Sequence, residues 1–449
     1  MNLSSYTREF STNFKLAFPI VLGQVAHLLV AFADNIMVGK LGATQLAAVS
    51  LGNTLIFLAM SVGIGFSFSI TPLVAEADSS GDHSSIKKYL DNGFILCTSL
   101  GLILCLLLFA SEPILYQLDQ PEEVVRLAIP YMRWVSISLI PLLLFQAIKQ
   151  FADGMSLTTY PMYIAVGANI INILINYLFI YGKFGLPKME VEGAAVGTLA
   201  SRIIMVIALY ILLSRKKLLK KFFDRTIEFS KTSIFKLLNI GFPTALQMLF
   251  EVSLFTAAIF LSGKLGTEEQ AANQIALNLS ALTFMFGVGL GIAATIRVSN
   301  QLGKKNFQNL KRVARSIFLM TIIMEVVFAL LFLIFNEQLP IIYIDDLSVI
   351  DLAASVLLIA ALFQISDGFQ VVILGALRGL QDVWVPSFIC LFSYGICGLP
   401  VSYYLGIETG YGLVGIWIGL CVGLTASSLL MYARYRYLLK FKMQHSISD

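Results

Sequence analysis

Charge is scarce in this sequence: only 13% of its 449 residues are Asp, Glu, Lys or Arg, whereas 57% are hydrophobic. A water-soluble protein needs far more charge to cover its surface, so that class is excluded. Apolar runs of about 20 residues recur along the whole chain, and each is long enough to cross the hydrocarbon core of a bilayer as a helix. The composition therefore predicts an all-α polytopic membrane protein.

Motifs of several enzyme classes are also missing. The sequence has no GxxxxGK[ST] run for binding ATP phosphates, no HExxH and no GxSxG. Its three histidines are scattered, and its five cysteines lie in apolar runs without metal-ligand spacing. We therefore expect neither an enzyme nor a cofactor or transition-metal site. The net charge of +4 is small and gives no reason to expect a nucleic-acid partner.

The hydropathy pattern predicts about twelve transmembrane helices. Those of the first half are expected at 14–38, 46–74, 90–111, 130–151, 160–182 and 192–214. Those of the second half are expected at 239–262, 272–297, 313–336, 351–376, 386–406 and 412–436. Between them lies the only long charged segment, which contains RKKLLKKFFDR. We therefore expect a six-helix lobe at 1–214, a basic cytoplasmic linker at 215–236 and a second six-helix lobe at 237–449.

Two membrane segments repeat each other. IMVGKLGATQLAA at Ile36–Ala48 matches FLSGKLGTEEQAA at Phe260–Ala272, and Pro19 matches Pro243 at the same offset. The chain is therefore predicted to consist of two homologous halves. In an apolar protein of this length, such duplication points first to a transporter in which one half rocks against the other.

Basic residues are unevenly distributed between the predicted loops. If the linker at 215–236 lies in the cytoplasm, most of the 31 Lys and Arg residues fall in cytoplasmic loops, termini or helix ends. This bias fits the positive-inside rule with both termini in the cytoplasm. We therefore predict a multi-pass protein of the cell (inner) membrane whose basic linker contacts anionic lipid.

Three carboxylates lie inside predicted spans: Asp34 in the first, Glu251 in the seventh and Asp367 in the tenth. A charged side chain at the bilayer centre costs at least about 2.5–3.5 kcal/mol on insertion scales, so such groups normally face a wet cavity or a partner. Each acid occurs in one half only, because the matching positions hold other residues: Ala258, His27 and Leu142. An architectural acid should tend to occur twice, so we interpret the three as functional docking points for cations. The second half offers no lysine or arginine at comparable depth to pair with its two acids.

Amide side chains also recur at helical spacing inside the predicted spans, and one of them, Gln364, lies three residues before Asp367. Five are candidates for lining a cavity or binding a cation: Asn172, Asn176, Gln274, Asn278 and Gln364. Amides inside a membrane also form hydrogen bonds between helices, and the sequence leaves both interpretations open. Glu325 in the ninth span and Arg202 in the sixth are interpreted as structural or as snorkelling to the membrane surface.

Several motifs, taken in order, resemble the multidrug and toxic compound extrusion (MATE) family, and within it the NorM-like bacterial branch. The resemblance covers roughly residues 10–440 and rests on five segments: FADNIMVGKLG at Phe32–Gly42, GKLGTEEQAANQIALN at Gly263–Asn278, RVSNQLGKKN at Arg297–Asn306, GALRGLQDVWVP at Gly375–Pro386 and YGLVGIWIG at Tyr411–Gly419.

The resemblance implies two six-helix lobes and the export of cationic amphipathic drugs in exchange for Na⁺ or H⁺. It implies cation binding by Glu251 and Asp367, and substrate binding by Asp34, Asp345 and Asp346. It also implies a monomer that needs no cofactor beyond the coupling ion. The alternative is a flippase for lipid-linked precursors or glycans, for which a basic central cavity would be expected.

Overall fold

The computed structural model describes residues 3–117, 120–224 and 226–445, without the side chains of residues 3–7 and 445, and this part of the chain contains helices and no strand. The first half forms α1 (Leu3–Gly39), α2 (Ala43–Ser67), α3 (Ile70–Ser80), α4 (His83–Ala110), α5 (Glu112–Tyr116), α6 (Glu122–Gly154), α7 (Thr159–Tyr181) and α8 (Glu190–Ser214). The second half forms α9 (Lys231–Leu265), α10 (Thr267–Gly303), α11 (Phe307–Ile334), α12 (Gln338–Ile341), α13 (Leu347–Gly379), α14 (Trp384–Phe392), α15 (Leu399–Tyr403) and α16 (Gly412–His445). Two π-helical segments, Ser393–Gly398 and Tyr404–Glu408, interrupt the helix that contains α14 and α15.

Twelve helical spans in the described part of the chain are long and apolar enough to cross a membrane, which confirms the predicted number. Three spans combine two helices each: α2 with α3, α4 with α5, and α14 with α15. Many helices extend past the predicted ends; the first begins at Leu3 rather than at residue 14. A span predicted from hydropathy ends where polar residues begin, whereas the backbone hydrogen bonds of the helix continue into the polar sequence.

Matching caps start the third span of each half. Asp82 accepts a hydrogen bond from the Ser85 backbone nitrogen at 3.1 Å, and Asn306 accepts one from the Asn309 nitrogen at 3.0 Å. Each side chain satisfies a backbone N–H that the first turn of a helix leaves free. The repeat is therefore preserved in the local chemistry of its turns as well as in the order of its spans.

The described helices divide into two compact units. The C-terminal unit contains Met1–Val21 and Leu246–Asp449, and the N-terminal unit contains Leu22–Ala245. The lobes predicted at 1–214 and 237–449 thus exchange the first parts of α1 and α9. Each division falls two residues after a proline, Pro19 in α1 and Pro243 in α9. Proline removes a hydrogen bond from the helix interior and favours a bend there.

Glycines bring α10 and α13 together in the C-terminal unit. A Cβ added at Gly375 would lie 2.1 Å from the Gly291 carbonyl oxygen, so only a glycine fits this crossing. Small residues allow two membrane helices to approach at backbone distance and gain packing energy. The close crossing fixes the rotation of α13 about its axis and thereby the direction in which Asp367 points.

The predicted basic linker is attached to the N-terminal unit. Phe222 packs edge-on against Phe151 with ring centroids 5.8 Å apart, and Lys87 forms an ion pair with Asp224. The hydrogen bond from Lys87 holds the pKa of the Asp224 carboxyl below its usual value. The linker lysines themselves are exposed, as contact with lipid head groups requires.

Candidate functional site

The two acids predicted to bind cations lie in the same unit. Glu251 is on α9 and Asp367 is on α13, and their exposed fractions are 9% and 4%. The two carboxylates interact electrostatically, and Asp367 Oδ1 has no hydrogen-bond partner among the described residues. Two like charges held out of water repel each other, so a bound cation or proton stabilises the pair.

A base lies closer to these acids than expected. Arg378, near the end of α13, is buried and interacts electrostatically with Glu251. The tenth span was predicted to end at residue 376, before Arg378. For this reason the second half was expected to lack a base at the depth of the two acids. α13 continues to Gly379 and carries Arg378 into the packed interior. Glu251 therefore has a resident positive neighbour as well as an acidic one.

The amides of α13 differ in their environments. Gln370 donates a hydrogen bond to the Tyr394 hydroxyl, a contact between α13 and the π-helical segment Ser393–Gly398. Gln364 is similarly buried, but neither of its polar side-chain atoms has a hydrogen-bond partner in the described part of the chain. Buried amides are nearly always hydrogen-bonded. Gln364 is thus an exception to this rule, and it lies on the same helix as Asp367.

The predicted acid of the N-terminal unit belongs to a hydrogen-bonded chain across three helices. Asn176 Nδ2 on α7 donates to Asp34 Oδ1 on α1 at 2.7 Å and to Asn172 Oδ1 at 3.1 Å. Asn172 Nδ2 then donates to Ser201 Oγ on α8 at 3.2 Å. Gly197 on α8 makes room, because a Cβ there would lie 1.8 Å from Asn176 Oδ1. The structure therefore brings together three of the predicted residues, and the role of Gly197 had no signal in the sequence.

Arg202 is the basic residue of this polar region. Its Nη1 donates to Ser138 Oγ at 2.7 Å, and its Nη2 contacts Met60 Sδ at 3.7 Å. It interacts electrostatically with Asp34. The guanidinium therefore connects α8 with α6 and α2, in line with its interpretation as structural, and it also offsets the charge of Asp34.

Gln274 and Asn278 contact each other rather than the acids. Gln274 Nε2 donates to Asn278 Oδ1 at 3.1 Å on α10. The neighbouring Asn273 is the buried amide of this turn, and its Oδ1 accepts a hydrogen bond from Trp417 Nε1 at 2.9 Å. Which of two adjacent amides points inward depends on the rotation of α10, which the sequence does not specify.

Asp345 and Asp346, the predicted external contacts for substrate, are both exposed. Asp346 caps α13: its Oδ1 accepts hydrogen bonds from the Ser348 hydroxyl at 2.8 Å and from the Ser348 backbone nitrogen at 2.9 Å. These bonds lower the pKa of the Asp346 carboxyl. Asp346 therefore has a structural task, and substrate binding by either residue stays a prediction.

Among the described residues, no three His, Cys, Asp or Glu side chains converge in a way that could hold a metal ion. Taken together, the twelve spans and the buried acids describe a multi-pass helical membrane protein with one charged polar region in each unit.

The family follows from comparison with known proteins. The sequence model named MatE matches residues 19–178 and 243–404, one match in each half, so the chain belongs to the MatE family. It is 34% identical over 443 residues to "Multidrug resistance protein NorM" of Vibrio cholerae, with 97% of both chains covered. It is 33% identical over 442 residues to "Multidrug resistance protein NorM" of Photobacterium profundum, again with 97% of both chains covered.

A solved structure shares the fold. The eukaryotic MATE transporter AtDTX14 superposes with a TM-score of 0.87 at 19% identity, covering 98% of this chain and 99% of its own. The resemblance to the MATE family that the motifs indicated is therefore confirmed, as is the all-α architecture.

Proposed function

We propose that this protein is a cation-coupled antiporter that exports cationic amphipathic drugs across the cytoplasmic membrane by alternating access. The relatives named as multidrug resistance proteins support the export of drugs. The observation that carries the coupling is the pair formed by Glu251 and Asp367, two buried acids that interact electrostatically in one unit.

Coupling follows from the cost of leaving this pair charged. Na⁺ or a proton relieves the repulsion, and so does a cationic drug that binds within reach of the same charges. A ligand shifts the equilibrium between inward and outward states only by its difference in affinity for the two. Competition between drug and ion, direct or through the conformational change, then links the two fluxes.

The N-terminal unit supplies a second acidic contact in this proposal. Asp34 accepts from Asn176 and lies near Arg202, so its charge is already partly offset. A drug cation that binds there must compete with these partners. We therefore assign Asp34 to substrate binding, and Glu251 and Asp367 to binding of the coupling ion. In the same proposal, both chain termini lie on the cytoplasmic side of the membrane.

The test is efflux of a fluorescent cation, such as ethidium, from cells that express the protein. Glu251→Gln and Asp367→Asn remove one charge each and should both abolish efflux at unchanged amounts of protein in the membrane. Glu337→Gln is the matched control, because Glu337 is exposed and outside this pair. Unchanged efflux in both acid variants would remove the assigned coupling site.

A further inference from the structure

Glu325 on α11 is a buried acid to which the proposed antiport assigns no task. Its side chain is 1% exposed, and no hydrogen bond or ion pair joins it to another described residue; Oε1 is fully enclosed and without a partner. Proteins rarely leave a buried carboxylate without a compensating partner, because its desolvation is costly. Glu325 therefore needs a partner that the described residues do not supply.

Two glycines make space for the Glu325 carboxylate. A Cβ added at Gly368 would lie 2.1 Å from Glu325 Oε1, and a Cβ added at Gly287 would lie 3.7 Å from the same atom. Helices α10, α11 and α13 therefore converge on this oxygen. Gly368 directly follows Asp367, and the Asp367 and Glu325 carboxylates interact electrostatically.

A neutral side chain with a carbonyl oxygen, that of Gln364, lies on the face of α13 that also carries Gly368. Gln364 precedes Gly368 by four residues, so the two positions lie one above the other on the side that meets Glu325. Both polar atoms of the Gln364 side chain are buried and form no hydrogen bond to a described residue, and Gln364 is 2% exposed. Its carbonyl oxygen can bind a cation, since an amide carries two acceptor lone pairs.

We propose that Glu325, Asp367 and Gln364 form a second cation position in the C-terminal unit and that it takes Na⁺. This inference rests on the proposed antiport, because the ion bound here is one of the coupling ions. All its ligand atoms are oxygens, which suit a hard cation. Arg378 interacts electrostatically with Glu251, whereas the charges that act on Asp367 are the acids Glu251 and Glu325.

The experiment measures binding of radioactive Na⁺ to the purified full-length protein in detergent at alkaline pH. The wild type is expected to bind Na⁺, and Glu325→Gln is expected to bind fewer ions at saturation or to bind them about tenfold more weakly, through loss of one charged ligand. Glu337→Gln makes the same chemical change at an exposed position and should bind Na⁺ as the wild type does.

A second variant tests the geometry without removing a charge. Gly368→Ala directs a methyl group at Glu325 Oε1 and displaces the carboxylate, so it should weaken Na⁺ binding as Glu325→Gln does. Gly167→Ala is its control, because a Cβ at Gly167 meets no atom within 4 Å.

Wild-type Na⁺ binding in both Glu325→Gln and Gly368→Ala would overturn the second position and leave the Glu251–Asp367 pair intact. Absence of Na⁺ binding in the wild type would overturn the second position as well, and it would remove Na⁺ coupling from the proposed function. The two failures are thus distinguishable.

Discussion

At the scale of single residues, the buried ion pair of α6 is a sensitive point of the N-terminal unit. Lys149 Nζ lies 2.7 Å from Asp153 Oδ2, and the two side chains are 16% and 1% exposed. Removing one partner of such a pair leaves the other charge buried and uncompensated. The pair is therefore expected to matter for folding whether or not it contributes to transport.

Lys149→Met should lower the free energy of unfolding by about 3–5 kcal/mol, measured by denaturation of the detergent-solubilised protein. Adding Asp153→Asn should restore most of the loss, because no buried charge then remains. Lys188→Met breaks the exposed pair with Glu190 and should cost less than about 1 kcal/mol. Equal losses in Lys149→Met and Lys188→Met would refute the difference in burial on which this prediction depends.

The close approach of Gly197 to Asn176 gives a second prediction for a single residue. Gly197→Ala places a Cβ 1.8 Å from Asn176 Oδ1 and 3.3 Å from the Asn176 backbone nitrogen. We expect about 1–3 kcal/mol of destabilisation from overpacking, together with tighter binding of cationic dyes, because Asp34 then loses a partner with which the cation must compete. Gly167→Ala, in the interior of α7 with open space for its methyl group, should not destabilise the protein and should leave dye binding unchanged. Wild-type stability and dye binding in Gly197→Ala would contradict the predicted packing.

Much of the candidate site could be predicted from the sequence because a charge inside an apolar run is conspicuous. Asp34, Glu251 and Asp367 stand out in this way, and the repeat adds that each occurs once. Contacts between helices could not be predicted, because they depend on the rotation of each helix about its own axis. The contact of Glu325 with Gly368 is of this kind.

At the scale of helices, α1 and α9 carry the most informative difference between sequence and structure. Hydropathy predicts each as one span, and each is one continuous helix. Packing nevertheless assigns the first part of each helix to the unit formed mainly by the other half of the chain. Sequence similarity places residues in a repeat, whereas contacts place them in a unit, so the two criteria give different boundaries.

The first part of α1 is held by an ionic cluster in the C-terminal unit. Glu9 pairs with Arg297 on α10 and, at 3.1 Å, with Arg312 on α11, while Asn13 Nδ2 donates to Ser316 Oγ at 3.2 Å. The corresponding part of α9 has no such cluster among the described residues: Lys236 Nζ donates to the Tyr89 hydroxyl at 3.2 Å, and Ser230 N, just before the helix, donates to Asn92 Oδ1 at 3.1 Å. The two halves thus secure equivalent helices with different chemistry.

Glu9→Gln should loosen the first part of α1, because two arginines lose their shared carboxylate. Backbone hydrogen exchange across residues 8–20 should become faster, by roughly tenfold for a loss of about 1.4 kcal/mol in local stability. Arg8→Gln changes an exposed neighbour on the same helix and should leave the exchange unchanged. Slow exchange in Glu9→Gln would show that the ionic cluster does not hold this segment.

At the scale of the whole molecule, duplication and composition predict the architecture well. The twelve spans follow from physical lengths, since only helices satisfy every backbone polar group within a segment in the bilayer. Both units contain buried charged side chains, but the acids of the two units have different partners. The N-terminal unit joins Asp34 to amides and a guanidinium, whereas the membrane spans of the C-terminal unit contain the buried acids Glu251, Glu325 and Asp367 and the buried base Arg378.

The central claim is that these acids exchange cations to drive export, and transport by purified protein in vesicles tests it most directly. Na⁺ and proton gradients are imposed separately, and the movement of a cationic dye is followed for the wild type and Asp367→Asn. At least one gradient should accelerate dye movement in the wild type, and Asp367→Asn should abolish the acceleration. Dye movement that is equally fast without any gradient, or acceleration that persists in Asp367→Asn, would contradict cation coupling through these acids.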